Sequence, residues 1–150
     1  AGRLPAGQVI VAGGAVGDNE VLASAELWDP ATGAWAALPP MAQPRNGAAG
    51  CVLPSGRFAV LGGVGVDGIE REDAEAFDPV SRAWQPLPPM LHNLTGGAAV
   101  AVAGGLLAVG GHDHAGAMLF DEESGRWFTL PGQMLAGRAG HGLATVPAAP

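Results

Sequence analysis

Glu26-Leu27-Trp28-Asp29-Pro30-Ala31-Thr32-Gly33-Ala34-Trp35 closes on Leu38-Pro39-Pro40-Met41, and the whole phrase then returns along the chain. Its second copy is Glu75-Ala76-Phe77-Asp78-Pro79-Val80-Ser81-Arg82-Ala83-Trp84, followed by Leu87-Pro88-Pro89-Met90. A third, more divergent copy runs Met118-Leu119-Phe120-Asp121-Glu122-Glu123-Ser124-Gly125-Arg126-Trp127 and ends in Leu130-Pro131-Gly132-Gln133-Met134. A glycine pair precedes each copy: Gly13-Gly14, Gly62-Gly63 and Gly110-Gly111, the last across a shorter loop. A period of about 50 residues made of strand-like pieces marks one supersecondary unit used repeatedly.

Each piece has a local reading. Val9–Ala12, Phe58–Leu61 and Leu106–Val109 are short apolar runs that stop at the glycines; runs of this length between turn signals suit strands covered on both faces. Asp-Pro-x-x-Gly makes a tight hairpin, with Asp accepting hydrogen bonds, Pro presetting φ and Gly taking the left-handed position. Arg82 occupies that last position in the second copy, which predicts local strain. Trp35, Trp84 and Trp127 open the next strand, and the prolines end it because they cannot donate to a ladder. A fourth strand type covers 47–53, 98–102 and 140–146. Gly56 and Gly104-Gly105 turn the first two of these directly into the glycine-pair strand. The unit is an antiparallel four-stranded meander, here lettered A to D, and the fold class is all-β.

Composition narrows the function. The 150 residues suit one domain. Without a run of 18 apolar residues no helical membrane span is expected. Fourteen acids against seven basic residues leave a net charge of -7, which repels phosphate backbones and argues against nucleic acid as a partner. No charged-then-apolar leader segment is visible, so no signal peptide is expected; the compartment stays open. Cys51 stands alone among apolar neighbours, which favours a buried inert thiol over a nucleophile.

A glycine pair, an interval, Glu, an aromatic, Asp-Pro, and Trp seven residues beyond that aromatic resemble the kelch repeat, in which each unit is one blade of a β-propeller. Departures are Glu122 in place of Pro, Met118 in place of Glu, and the absence of tyrosine. The resemblance implies a propeller of four-stranded antiparallel blades over a single region, 1–150. Blade one would be 7–38 plus a C-terminal strand at 139–147, since kelch propellers commonly close with a terminal strand. Blade two would be 46–87 and blade three 95–130. Propellers hold about four to eight blades, so three do not close a ring. Two copies make six, and a homodimer is expected.

The absence of tyrosine excludes the radical-copper oxidase chemistry found in some kelch propellers. A sugar epimerase-like or lyase-like enzyme at the propeller mouth remains an alternative, but no acid–base pair is marked. The leading expectation is a non-catalytic binding or scaffold propeller. Its ligand or partner, protein or carbohydrate, would sit on the face that carries the B–C and D–A loops. A third reading is half of a propeller with no ligand of its own.

That face collects Arg45, Asn46, His92, Asn93, His112, Asp113, His114 and His141 as candidate binding residues, a set suited to carboxylates and hydroxyls. His112-Asp113-His114 holds metal-ligating types but lacks a third ligand at suitable spacing, so no metal and no cofactor are assigned. No helix follows the glycine pairs to make them a phosphate loop. Residues Asp67 to Asp73 read as a solvated acidic loop. The tryptophans of strand D are expected to pack between blades, each burying about 150–250 Å²; removing Trp84, in the central blade, is expected to be severe, and removing Trp28 milder.

In kelch units an arginine opens strand A and a glutamate opens strand C at the same rim. Two strand spacings, about 9–10 Å, separate them, and the glycine pair between leaves the way clear. Blade two has Arg45 with Glu75, and blade three has Leu94 with Met118. Blade one has Glu26, and its arginine would come from the C-terminal segment as Arg138. The expected seam pairs Arg138 of one copy with Glu26 of the other.

Overall fold

The computed structural model describes residues 1–17 and 20–145. In chain order the strands are β1 (Gly2–Arg3), β2 (Val9–Ala12), β3 (Ala15–Val16), β4 (Glu20–Val21), β5 (Ala25–Asp29), β6 (Ala34–Leu38) and β7 (Ala49–Val52). They continue as β8 (Phe58–Leu61), β9 (Ala74–Asp78), β10 (Ala83–Leu87), β11 (Ala98–Val102), β12 (Gly105–Val109), β13 (Ala117–Asp121) and β14 (Arg126–Thr129). Three antiparallel four-stranded sheets follow, β1-β2-β5-β6, β7-β8-β9-β10 and β11-β12-β13-β14, and a small β3-β4 hairpin lies in the B–C loop of blade one. There is no helix among the described residues. The all-β, bladed architecture read from the repeat is present.

The registers superimpose: Val11 stands opposite Glu26, Val60 opposite Glu75 and Ala108 opposite Met118. Because side chains alternate across a strand, each blade presents one set to the preceding blade and another to the following one. Ile10, Ala25, Leu27 and Leu38 of blade one pack against Phe58, Val60 and Phe77 of blade two. The opposite side of blade two, with Ala59, Leu61, Ala76 and Leu87, packs against Leu106, Met118, Phe120 and Trp127 of blade three. Strand β8 is buried at all four positions, as a strand covered on both faces should be. Strand β2 is not, and Val11 is 38% exposed, because no blade lies beyond blade one. Arg82 takes the turn's left-handed position at φ 54.

The inner strand of blade one departs from expectation. Gly2–Arg3, and not the C-terminal segment, pairs with Val9–Ala12. Residues 139–145 form no strand, and the rest of the expected 139–147 strand lies outside the described residues. The blade therefore spans 2–38 rather than 7–38. The cause is local: Leu4-Pro5-Ala6-Gly7 repeats Leu53-Pro54-Ser55-Gly56 and builds the same turn. Leu4 N–H donates to the Gln8 carbonyl at 2.8 Å and Gly7 N–H to the Leu4 carbonyl at 2.9 Å. The corresponding bonds in blade two, Leu53 to Arg57 and Gly56 to Leu53, are 2.8 and 2.9 Å. Such a hairpin closes a far shorter loop than a strand brought from the other end of the chain, at less entropic cost. Gly2 also suits the place, since a Cβ there would lie 2.8 Å from the Phe58 ring.

Candidate functional site: the blade joints and the loop face

The joints are built from the glycine pairs outward. Gly13 and Gly14 have φ of 70° and 99°, and a Cβ on Gly13 would come within 2.6 Å of the Arg45 carbonyl. That close approach lets Gly14 N–H donate to the Arg45 carbonyl at 2.9 Å. The same bond recurs from Gly63 to Leu94 at 3.1 Å and from Gly111 to Arg138 at 3.0 Å. One residue per joint is thus tied by its backbone to the blade it leaves.

At Arg45 the side chain reaches into the blade it enters. Its guanidinium is fully buried and donates to the Gly62 carbonyl at 2.8 Å, the Asp73 carbonyl at 3.2 Å, the Asp73 carboxylate at 2.5 Å and Glu75 Oε1 at 2.9 Å. Glu75 in turn accepts from the N–H groups of Ala42 at 2.9 Å and Gln43 at 3.4 Å. At the next joint Leu94 and Met118, both fully buried, take the places of Arg45 and Glu75.

The tryptophans of strand D form a second series. Trp84 Nε1 donates to the Pro39 carbonyl at 2.8 Å and Trp127 Nε1 to the Pro88 carbonyl at 2.9 Å. Each indole therefore grips the Leu-Pro-Pro segment of the preceding blade. A third contact joins blades two and three, where Arg57 lies 2.8 Å from Glu122 and Ser55 donates to the same carboxylate. Burial pushes the Glu122 carboxyl up, but the hydrogen bonds from Ser55 and Arg57 outweigh it and hold the group below its ordinary range.

The loop-face candidates divide into those that meet and those that do not. His92 and His114 stack, with ring centroids 4.2 Å apart and planes at 19°. His112 Nδ1 is 3.2 Å from Asp113 Oδ2 on an exposed turn, with Asp113 at φ 63. A cleft of about 410 Å³ lies between Gly111, His112 and Asp113 on one side and Gly137, Arg138 and Ala139 on the other. Asn93 Oδ1 and both ring nitrogens of His141 are buried without a hydrogen-bond partner among the described residues.

Arg45 does not belong to this face, being enclosed in the joint. Asn46 is exposed and its backbone bridges to Val64. Glu26 and Arg138 are both exposed, at opposite open ends of the three-blade stack. Asp18 and Asn19, between β3 and β4, lie outside the described residues. Among the described residues no group of three or more His, Cys, Asp or Glu is placed to hold a metal ion.

Three features escaped sequence reasoning. Asp73, read as part of a solvated loop, is the second carboxylate of the Arg45 site, although its own side chain remains 45% exposed. Arg71 of the same loop is only 17% exposed and faces Asp67 at 3.7 Å. Glu122, seen only as a missing proline, supplies the bridge to Arg57; a carboxylate where the repeat has Pro was the available signal. Cys51 is buried, and desolvation pushes its thiol up to about 11.

Blades of this strand order, joined by glycine pairs and gripped by tryptophan, define a β-propeller repeat protein. The Kelch motif matches residues 5–42, which together with the bladed fold supports a unit of the kelch-repeat propeller type. Among many solved structures of the same fold is that of YjhT, with a TM-score of 0.77 at 18% identity, over 89% of this chain and 52% of that one. The chain thus spans about half the length of this structural relative. Comparison with curated proteins found no match.

Proposed function

We propose that the chain is a non-catalytic binding or scaffold propeller that works as a six-bladed ring of two copies. Its ligand or partner would sit on the face of the B–C and D–A loops. The observation that carries the ring is the exposed outer face of blade one, where Val11, Glu26 and Trp35 stand at the positions that Val60, Glu75 and Trp84 hold at a packed joint. The relative length of YjhT supports the count, since three blades occupy about half of that chain. Loops displayed on a rigid scaffold are where binding residues concentrate. His112, Asp113 and the stacked pair His92–His114 offer donors and acceptors suited to hydroxyls and carboxylates.

Thermal unfolding in the presence of acidic sugars and carboxylate-rich peptides tests the binding half of this reading. A ligand present at a hundred times its Kd should stabilise the protein by about 2.7 kcal/mol. H112A with H114A should remove that shift while leaving the melting point of the free protein unchanged. A ligand shift that survives both substitutions would place binding elsewhere, and no shift across the panel would leave a scaffold without a small ligand.

A further inference from the structure

The two open ends of the stack carry the two halves of a joint. Arg138 has the same backbone anchor to Gly111 that Arg45 has to Gly14, yet its side chain is exposed. Glu26 occupies the register of Glu75, yet it too is exposed. A small cavity of about 180 Å³ lies in front of Glu26, bounded also by Gly13, Ser24 and Trp35. It corresponds to the site where Arg45 sits between Gly62, Asp73 and Glu75 at the packed joint. Ser24 stands for Asp73, so this cavity offers one carboxylate to one incoming arginine.

Trp35 gives an independent indication. It is 55% exposed, whereas Trp84 and Trp127 each donate to a proline carbonyl of the preceding blade. By the repeat, the carbonyl that corresponds to Pro39 and Pro88 for Trp35 is that of Pro131. A third series lies at the inner edge, where Gly96 N–H donates to the Gly47 carbonyl at 2.8 Å and Gly140 N–H to the Gly96 carbonyl at 2.6 Å. Its two ends, Gly47 N–H and the Gly140 carbonyl, are a donor and an acceptor. All three series break at the same place and with complementary ends.

Resting on the two-copy ring, we propose that the open face of blade one is a docking surface for blade three of a second copy. The Arg138 guanidinium enters the cavity of the other copy to reach Glu26 and the Gly13 carbonyl, and the Trp35 indole donates to the other copy's Pro131 carbonyl. The two-fold axis makes the same joint twice. Gly2–Arg3 already fills the inner position of blade one, so closure asks of the second copy only the segment as far as Gly140.

Charge exchange tests this pairing through the symmetry. E26R alone places two arginines at both seams, and R138E alone places two glutamates at both. An equimolar mixture of the two variants lets each seam pair an arginine with a glutamate. The expected results are a dimeric parent, dimers weakened about a hundredfold or more in each single variant, and a one-to-one heterodimer in the mixture. Circular dichroism should show both single variants folded, since the two side chains are exposed within the chain. A monomeric parent would overturn the ring and the pairing together. A dimeric parent whose single variants dimerise equally well, with no preference in the mixture, would overturn the pairing and leave the ring.

Discussion

Arg45→Leu should destabilise the chain by about 3–5 kcal/mol, because it strands the Glu75 carboxylate at a packed joint. Glu75 is 4% exposed, and only the N–H groups of Ala42 and Gln43 would remain to solvate it. Glu75→Met should cost about as much, since it leaves a fully buried guanidinium with Asp73 and carbonyl oxygens alone. The combined R45L/E75M chain should recover most of that loss. It recreates the Leu94–Met118 contact that already closes the next joint, and well-packed apolar replacements of buried ion pairs are often neutral. Urea unfolding of the four proteins gives the coupling energy directly. If the double substitution costs the sum of the single ones, the two side chains act independently and the joint is not locked by their pairing.

Trp127→Ala should cost about 3–5 kcal/mol, the range for deleting a buried aromatic from a core. Trp127 is 8% exposed, packs 5.0 Å from Phe120 and donates to Pro88. Trp84, whose removal its central blade predicts to be severe, is less enclosed than Trp127. Its contacts are analogous, with Phe77 at 5.4 Å and the Pro39 carbonyl, but its ring is only partly buried. The expected order of melting points is parent, then Trp84→Ala, then Trp127→Ala. The reverse order would mean that position in the stack outweighs burial.

The fold was legible because a repeat states its own boundaries. Three copies of the same turn and the same glycine pair identify the blade even where Met118 and Glu122 depart from the pattern. The Arg45–Glu75 contact was legible for a related reason: the glycines between the two strands carry no side chains, so a long arginine has a clear path. Asp73 was hidden in a run of acids without periodicity, where nothing separates a buried contact from a solvated one.

The inner strand of blade one was hidden by its length. Two residues give no alternation to read, and only the Leu-Pro-Ala-Gly turn after them carried the signal. On the loop face, spacing alone could not bring His92 and His114 together. His92 lies in the connection between blades two and three and His114 in the B–C loop of blade three, and their stacking depends on how the two loops pack. Loop side chains follow the local path of the backbone, which the repeat does not encode.

The open ends of this three-blade unit are proposed to meet in a second copy. Sedimentation velocity over a dilution series measures it most directly. A ring of two copies predicts a single species at twice the 14.9 kDa chain mass, dissociating only at low concentration. A folded species at the chain mass throughout the series would contradict it, as would a ladder of ever larger oligomers, in which the same complementary ends join without closing.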